Sequence, residues 1–176
     1  LQMLGALEGE RLSAQGQKMA ALGNDPRLAA MLVSAKSDDE AATAAKIAAI
    51  LEEPPRMGNS DLGVAFSRNQ PAWQQRSQQL LKRLNVRGGE ADSSLIAPLL
   101  AGAYADRIAR RRGQDGRYQL ANGMGAMLDA DDALSRHEWL IAPLLLQGSA
   151  SPDARILLAL PVDIDELVQR CPQLVQ

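Results

Sequence analysis

The sequence predicts a multidomain α+β protein, in which a small helical bundle precedes a small antiparallel β domain. Hydrophobic residues make up 46% of the 176 residues, which is enough for a substantial buried core. Leucine and alanine dominate and only 3% of the chain is aromatic, a composition that favours close-packed helices over a large sheet. The hydrophobic period is helical up to residue 105 and extended from Asp106 onward. We therefore place a domain boundary at that point.

Capping signals predict the helices in order. LQMLGALEG is expected to be helical up to Gly9, and because the chain starts inside this pattern we expect a piece of a longer polypeptide. Asp25 and Pro26 predict the start of the helix PRLAAMLVSA. Ser37 with Glu40 forms a capping box that predicts the start of the next helix, and Ser60 or Asp61 in an acidic turn predicts another. Two more helix starts are predicted, one at Pro71 as a first-turn proline and one at the polar triplet Asp92-Ser93-Ser94.

Strand-length segments bounded by turn residues follow Asp106. They are RIARRR, RYQLANGMGAML, HEWLIAPLLL and ARILLALPV. DIDELVQRC is predicted to be either a terminal helix or an extended tail. The hexamer LIAPLL occurs at Leu95–Leu100 and at Leu140–Leu145, but its flanks differ. We predict a helix for the first copy and a strand for the second, and no duplication of a structural unit.

Several classes of chemistry are excluded or disfavoured by the residues available. The sequence has no GxxxxGK[ST] phosphate loop, and its single histidine, His137, cannot supply a histidine-rich metal site. Asp129, Asp131 and Asp132 lack the remainder of a calcium loop and are expected to form a solvated turn. Cys171 is the only cysteine, which points to a reducing compartment such as the cytoplasm. No apolar run is long enough for a membrane span.

Positive charge is concentrated in the middle of the chain. Residues 56–117 carry 11 Lys and Arg against 5 Asp and Glu, whereas the flanking segments are net acidic. Five arginines surround one Gly-Gln-Asp-Gly turn: Arg107, Arg110, Arg111, Arg112 and Arg117. On a strand these side chains would point to both faces, which predicts a protruding hairpin with Arg117 and Tyr118 on the returning strand.

Two interpretations of this hairpin stay open on the local sequence. Arginines bind phosphates bidentately and Tyr118 could stack on a base, as in proteins that hold single-stranded nucleic acid without reading its sequence. The other interpretation is an exposed sheet edge on which charge prevents aggregation.

The whole pattern resembles the bacterial DEAH-box ATP-dependent helicases. LGALEGERLSAQGQKMAAL followed by NDPRLAAMLVSA is similar to the junction between the family's degenerate winged helix and its ratchet domain. NSDLGVAF resembles the turn that opens a further ratchet helix, with Leu62 in place of the usual histidine. AYADRIARRRGQDGRYQLANGMGAML and the later strands resemble the family's OB-like β-barrel. The resemblance covers nearly the whole chain.

The resemblance implies three regions in a C-terminal accessory part of such a helicase. They are the end of the winged helix at 1–22, a helical ratchet (HA2) domain at 23–105 and an OB-like antiparallel barrel at 106–176. This part would be non-catalytic and would contact single-stranded RNA or DNA. ATP and Mg would bind in the RecA-like motor domains of the parent chain, to which it would be coupled.

Eight residues are expected to contact nucleic acid, and none is expected to be catalytic or to bind metal. They are Arg107, Arg110, Arg111, Arg112, Arg117, Tyr118, Lys82 and Arg83. The alternative is a structural or protein-interaction module that docks the motor domains or another protein without touching nucleic acid. Net acidity and the small number of aromatic residues favour that alternative.

Overall fold

The computed structural model describes residues 7–8, 11–12, 25–55, 60–147 and 152–174. These residues divide into two compact units. The first contains the described chain up to Glu53 and resumes over Asn69–Leu99, and the second contains Pro54–Arg68 and the described chain from Leu100 onward. The predicted boundary between residues 105 and 106 stays a prediction. No helix in the described ranges is both long and apolar enough to cross a membrane.

The helices begin where the sequence predicted. Asp25, Ser37 and Asp61 each accept a backbone N–H in the first turn of the helix they precede, which satisfies donors that have no partner within the helix. The six α-helices of the described residues are α1 Pro26–Ser34, α2 Asp38–Glu52, α3 Leu62–Ser67, α4 Pro71–Leu84, α5 Ile96–Ala103 and α6 Ile164–Arg170.

The core of the first unit is the alanine-rich helix α2. Ten of its residues are buried, because alanine allows neighbouring helices to pack close to its backbone. The side chain of Thr43, which is polar and buried, donates to the Asp39 carbonyl at 2.7 Å and accepts the Asp92 N–H at 2.9 Å. The indole of Trp73 donates to the Glu53 carbonyl at 2.8 Å. The contact of Thr43 with Asp92 and the contact of Trp73 with Glu53 join α2 to the Asn69–Leu99 segment of the same unit.

The second unit contains a closed five-stranded barrel. Its strands are β3 Ile108–Arg111, β4 Arg117–Leu120, β5 Gly125–Met127, β6 Trp139–Leu146 and β7 Ala154–Pro161. Their order around the barrel is β3-β4-β5-β7-β6, with β6 pairing back to β3 and only β5-β7 parallel. This is the order of an OB-like barrel. The predicted α+β fold class, with helices before a small barrel, is therefore confirmed.

Two local predictions need correction. Leu7–Glu8 and Arg11–Leu12 form the antiparallel strands β1 and β2, so the helix predicted through Gly9 is wrong there; the rest of residues 1–22 lies outside the described residues. Helix α4 ends at Leu84, because Asn85 adopts the left-handed conformation at φ 58°.

The second correction concerns the β domain. The segment predicted as one strand, 117–128, is the hairpin β4-β5, since Gly123 has φ 91° and the Met124 N–H bonds to the Asn122 side chain. The terminal segment is the helix α6, capped by Asp163, which is one of the two structures predicted for it.

The repeated hexamer adopts two different structures. Its first copy begins in a short 3₁₀ helix, Ser93–Leu95, and continues in α5, whereas its second copy lies within β6. The prediction of a helix for the first copy and a strand for the second is confirmed. Burial of apolar side chains stabilises either state, and the flanking residues determine which one forms.

Candidate nucleic-acid interface

The arginine-rich segment forms the β3-β4 hairpin of the barrel. Arg111 lies opposite Tyr118, and the Arg112 N–H donates to the Arg117 carbonyl at 2.8 Å, which continues the same register by one pair. The hairpin is not a free protrusion, because β3 also pairs with β6. Four of the five arginines are exposed, namely Arg110, Arg111, Arg112 and Arg117.

The loop of the hairpin depends on three residues with positive φ. Gly113, Asp115 and Gly116 have φ of 67°, 70° and 72°, a conformation that costs little only for glycine and is tolerated by Asp. Gly116 is also buried, and its carbonyl accepts the Leu128 N–H at 2.8 Å. A Cβ on Gly116 would overlap the Leu128 carbonyl oxygen. Gly116 therefore fixes where Arg117 re-enters the barrel.

A row of three side chains crosses the outer face of three strands. Arg110 on β3 lies opposite Gln119 on β4 and opposite Trp139 on β6. The Arg110 guanidinium lies 5.4 Å from the centre of the Trp139 ring, and it also contacts the Glu138 carboxylate at 3.3 Å. The Arg110 side chain is nevertheless 64% exposed. The cation therefore lies over the indole ring, while most of the Arg110 side chain is open to solvent.

A second outward row, Arg112 and Arg117, follows the first one towards the hairpin loop. The two residues are directly opposite each other across the β3-β4 pair, and like charges in that position are destabilising. Neither guanidinium makes an ion pair or a side-chain hydrogen bond with any residue described here. Two charges placed together without neutralisation are available to an anionic ligand.

This second row continues around the barrel. Arg117 lies opposite Met127 on β5, and Met127 lies opposite Arg155 on β7. Arg155 is exposed and pairs loosely with Asp129 at 3.5 Å. Arg155 is isolated in an acidic segment of the sequence, so no local pattern points to it. Strand pairing alone brings it into the same row as Arg117.

Arg111 points to the inner side of the barrel wall, at the end of the barrel. It shares a face with the buried Ala109, as alternation predicts. Its guanidinium donates to the Arg136 carbonyl at 3.0 Å, which fixes it beside the short helix Ala133–Arg136. Arg136 is exposed and was also missed by the sequence analysis. Arg111 and Arg136 thus add positive charge at the barrel end next to the hairpin loop.

Arg107 is separated from the other arginines. It ends a 3₁₀ helix, Ala105–Arg107, at the start of β3, whereas Arg112 follows the end of that strand. Its guanidinium contacts Asp106 at 3.8 Å and the Ala142 carbonyl at 3.4 Å, and its side chain is only 24% exposed. Four of the five arginines therefore lie near the turn. Arg107 lies at the other end of β3, where it contacts the barrel wall.

Tyr118 is inside the barrel, which corrects the stacking role predicted for it. The residue is 2% exposed, and its hydroxyl lies 2.6 Å from the His137 carbonyl and 3.0 Å from the Leu134 carbonyl. Burial raises the pKa of Tyr118 to about 12, opposed by the charge of Arg111. Its ring cannot stack on a base in this structure. The alternation of Arg117 and Gln119 with Tyr118 and Leu120 already indicated this orientation.

Lys82 and Arg83 belong to the first unit. Both are exposed in the last turn of α4, where positive charge also interacts favourably with the helix dipole. Their predicted contact with nucleic acid stays a prediction that is separate from the barrel.

An open cleft of about 640 Å³ lies on the outer face around the first row. Its walls combine apolar residues with the hairpin arginines: Ile108, Arg110, Arg112, Gln119, Ala121 and Trp139. This volume is within the range of small-ligand sites. Among the described residues, no three His, Cys, Asp or Glu side chains gather to form a metal site. The cleft therefore places positive charge beside apolar surface.

Comparison with known proteins identifies close relatives. Over all 176 residues the chain is 98% identical to the "ATP-dependent RNA helicase HrpB" of Escherichia coli strain K12, and it spans 22% of that protein's length. The solved structure of the E. coli "DExH-box NTPase HrpB" is 98% identical with a TM-score of 0.94. A second structure, of an E. coli "DEAH/RHA helicase HrpB", is 89% identical with a TM-score of 0.90. Each structure is covered over 22% of its chain.

These similarities confirm the resemblance to DEAH-box helicases. They cover the whole of this chain in both sequence and fold. No protein-family model matches the chain.

Proposed function

We propose that this chain, which matches about a fifth of an HrpB helicase in sequence and fold, is a non-catalytic accessory region that holds a single strand of nucleic acid. In this proposal residues 1–22 end a winged helix, 23–105 form the ratchet domain and 106–176 form the OB-like domain. RecA-like motor domains elsewhere in the parent chain bind ATP and Mg and move the strand, which is RNA if the chain acts as its relative's name states. Cytoplasmic location is part of the same proposal.

The observation that carries the proposal is the unneutralised pair Arg112 and Arg117. Natural strands rarely place two like charges directly opposite each other, since the arrangement costs stability. A phosphate between the two guanidinium groups removes that cost and accepts bidentate hydrogen bonds from each. Arg110, Arg111, Arg136 and Arg155 surround the pair with further positive charge. Phosphate contacts of this type supply affinity without sequence readout.

Fluorescence anisotropy with a labelled single-stranded oligonucleotide tests this function on the 176-residue chain. The double variant Arg112→Gln/Arg117→Gln is expected to bind roughly tenfold or more weakly at low salt, with its fold retained. Arg107→Gln is the matched control, because it removes the same charge at the other end of β3. An equal loss in the control, or no loss in the double variant, would contradict the proposal.

The second candidate is a docking module, and one observation favours it. Leu146 on β6 and Leu157 on β7 are 55% and 37% exposed, and exposed apolar side chains mark many protein interaction sites. Charge reversal at Arg110 and Arg112 in the full-length helicase separates the two functions. Weakened nucleic-acid binding with unchanged melting supports the first candidate. Unchanged binding with lost ATPase coupling supports docking.

A further inference from the structure

We propose that the outer row of Trp139, Arg110 and Gln119 is a binding platform for one unstacked nucleobase. The base stacks on the solvent-exposed part of the Arg110 guanidinium, whose central carbon lies over the Trp139 ring at 5.4 Å from its centre. This inference rests on the proposed function, because it assigns a base to a strand whose phosphates are held beside it. It adds a site for the base to the contacts with the phosphates.

The geometry of Arg110 carries the first step. A guanidinium is planar and delocalised, and both aromatic rings and nucleobases stack on its faces. The contact with Trp139 at 5.4 Å fixes the orientation of a side chain that is otherwise 64% exposed. Ordering a long side chain normally costs entropy. Because the Arg110 side chain is already partly ordered in the free protein, less entropy is lost when a ligand binds to it.

The cross-strand row carries the second step. Gln119 lies directly opposite Arg110 on the side away from Trp139, and its exposed amide offers two donors and an acceptor. An amide beside a stacked base can meet the polar edge of that base. Ile108 and Ala121 supply apolar surface to the same cleft. The cleft therefore combines a flat cation, a polar group and an apolar floor, which suits a base better than it suits a phosphate.

The spacing of the two rows carries the third step. Arg110 and Arg112 are two residues apart on the same face, or roughly 7 Å along the strand direction. A nucleotide can therefore place its base on Arg110 and its phosphate between Arg112 and Arg117. The two rows thus bind different parts of one nucleotide, and they can be tested separately.

The test compares two ligands on the 176-residue chain: a labelled single-stranded oligouridine, and an abasic oligomer of the same length that keeps the phosphates. The wild-type chain is expected to bind oligouridine at least about fivefold more tightly than the abasic oligomer. Arg110→Lys keeps the charge but removes the planar group, so it is expected to bring this ratio close to one by weakening oligouridine binding more than abasic binding. Arg112→Lys is the matched control and should leave the ratio intact.

Tryptophan fluorescence gives a second readout that needs no variant. Trp73, the other tryptophan, is 2% exposed, so a ligand-dependent change reports mainly on Trp139. Oligouridine is expected to quench the emission, and the abasic oligomer is not.

Each result supports or overturns the platform. Equal wild-type affinities for the two oligomers overturn it and leave the phosphate contacts standing. A loss in Arg110→Lys that is the same for both oligomers also overturns it, because Arg110 is then a phosphate contact. If neither oligomer binds at low salt, the proposed function itself fails and the platform fails with it.

Discussion

The Arg110 guanidinium lies 5.4 Å from the centre of the Trp139 ring, on the neighbouring strand of the barrel. At an exposed site such a contact contributes about 0.5–1 kcal/mol, so its main effect is to orient the arginine. The two residues are far apart in sequence, and only the pairing of β3 with β6 brings them together. The site therefore depends on closure of the barrel.

Glu138→Gln is expected to strengthen binding to a single strand. Glu138 accepts from Arg110 at 3.3 Å, and both side chains are more than half exposed, so the ion pair itself is weak. Removing its charge frees Arg110 and makes the cleft more positive. We expect an increase in affinity of up to about fivefold at low salt, measured by anisotropy. Weaker binding by this variant would show that Glu138 orients Arg110 for the ligand.

Arg117→Gln is expected to stabilise the fold while it weakens binding. The substitution relieves the like-charge contact with Arg112, which corresponds to roughly 0.2–1 kcal/mol in the free energy of unfolding. Urea denaturation measures this difference. Arg107→Gln is the control, since its partner Asp106 carries the opposite charge and its removal should bring no gain. A loss of stability in Arg117→Gln would mean that the two guanidinium groups do not repel each other.

Gly116→Ala is expected to destabilise the barrel more than Gly113→Ala. Both residues have positive φ, so each substitution incurs about 1–2 kcal/mol of backbone strain. Only at Gly116 does the added Cβ meet the Leu128 carbonyl, whereas nothing lies within 4 Å of a Cβ at Gly113. The difference between their melting temperatures isolates this steric contact. Equal destabilisation would show that the β4-β5 pairing shifts readily to accommodate a methyl group.

Alkaline pH is expected to destabilise the barrel through Tyr118. Burial raises its pKa from 10.0 to about 12, so the unfolded chain releases this proton at lower pH than the folded chain. Stability from this group is therefore complete below pH 10 and is lost as the pH rises towards 12. Urea denaturation across this range should show a smaller decline for Tyr118→Phe than for the wild-type chain. Identical slopes would exclude Tyr118 as the source.

Local signals in the sequence predicted the helices well. Asp25, Ser37 and Asp61 cap helices as expected, because a cap depends on a few adjacent residues. The first hairpin was missed because Leu7–Glu8 fits a helical pattern in isolation and is extended through pairing with Arg11–Leu12. The turn after Leu120 was missed although Asn122 and Gly123 form a dipeptide that is typical of hairpin turns.

The candidate site was predicted only in part. A run of arginines is visible in the sequence, but its separation into outward, inward and distant members depends on where β3 begins and ends. Arg107 falls outside the strand for this reason. Trp139, Arg136 and Arg155 join the site through strand pairing and chain path, which no local pattern contains. Tyr118 was the avoidable error, because alternation on β4 already placed it inside.

The salt dependence of binding tests the central claim most directly. Three or four phosphate contacts predict a slope of about −2 to −3 in a plot of log Kobs against log salt concentration for a single strand. The Arg112→Gln/Arg117→Gln variant should lose about 0.7 of that slope, because the two arginines share one phosphate contact. A titration that is independent of salt, or no binding by the wild-type chain at low salt, would contradict the claim that this barrel holds a nucleic-acid strand by its phosphates.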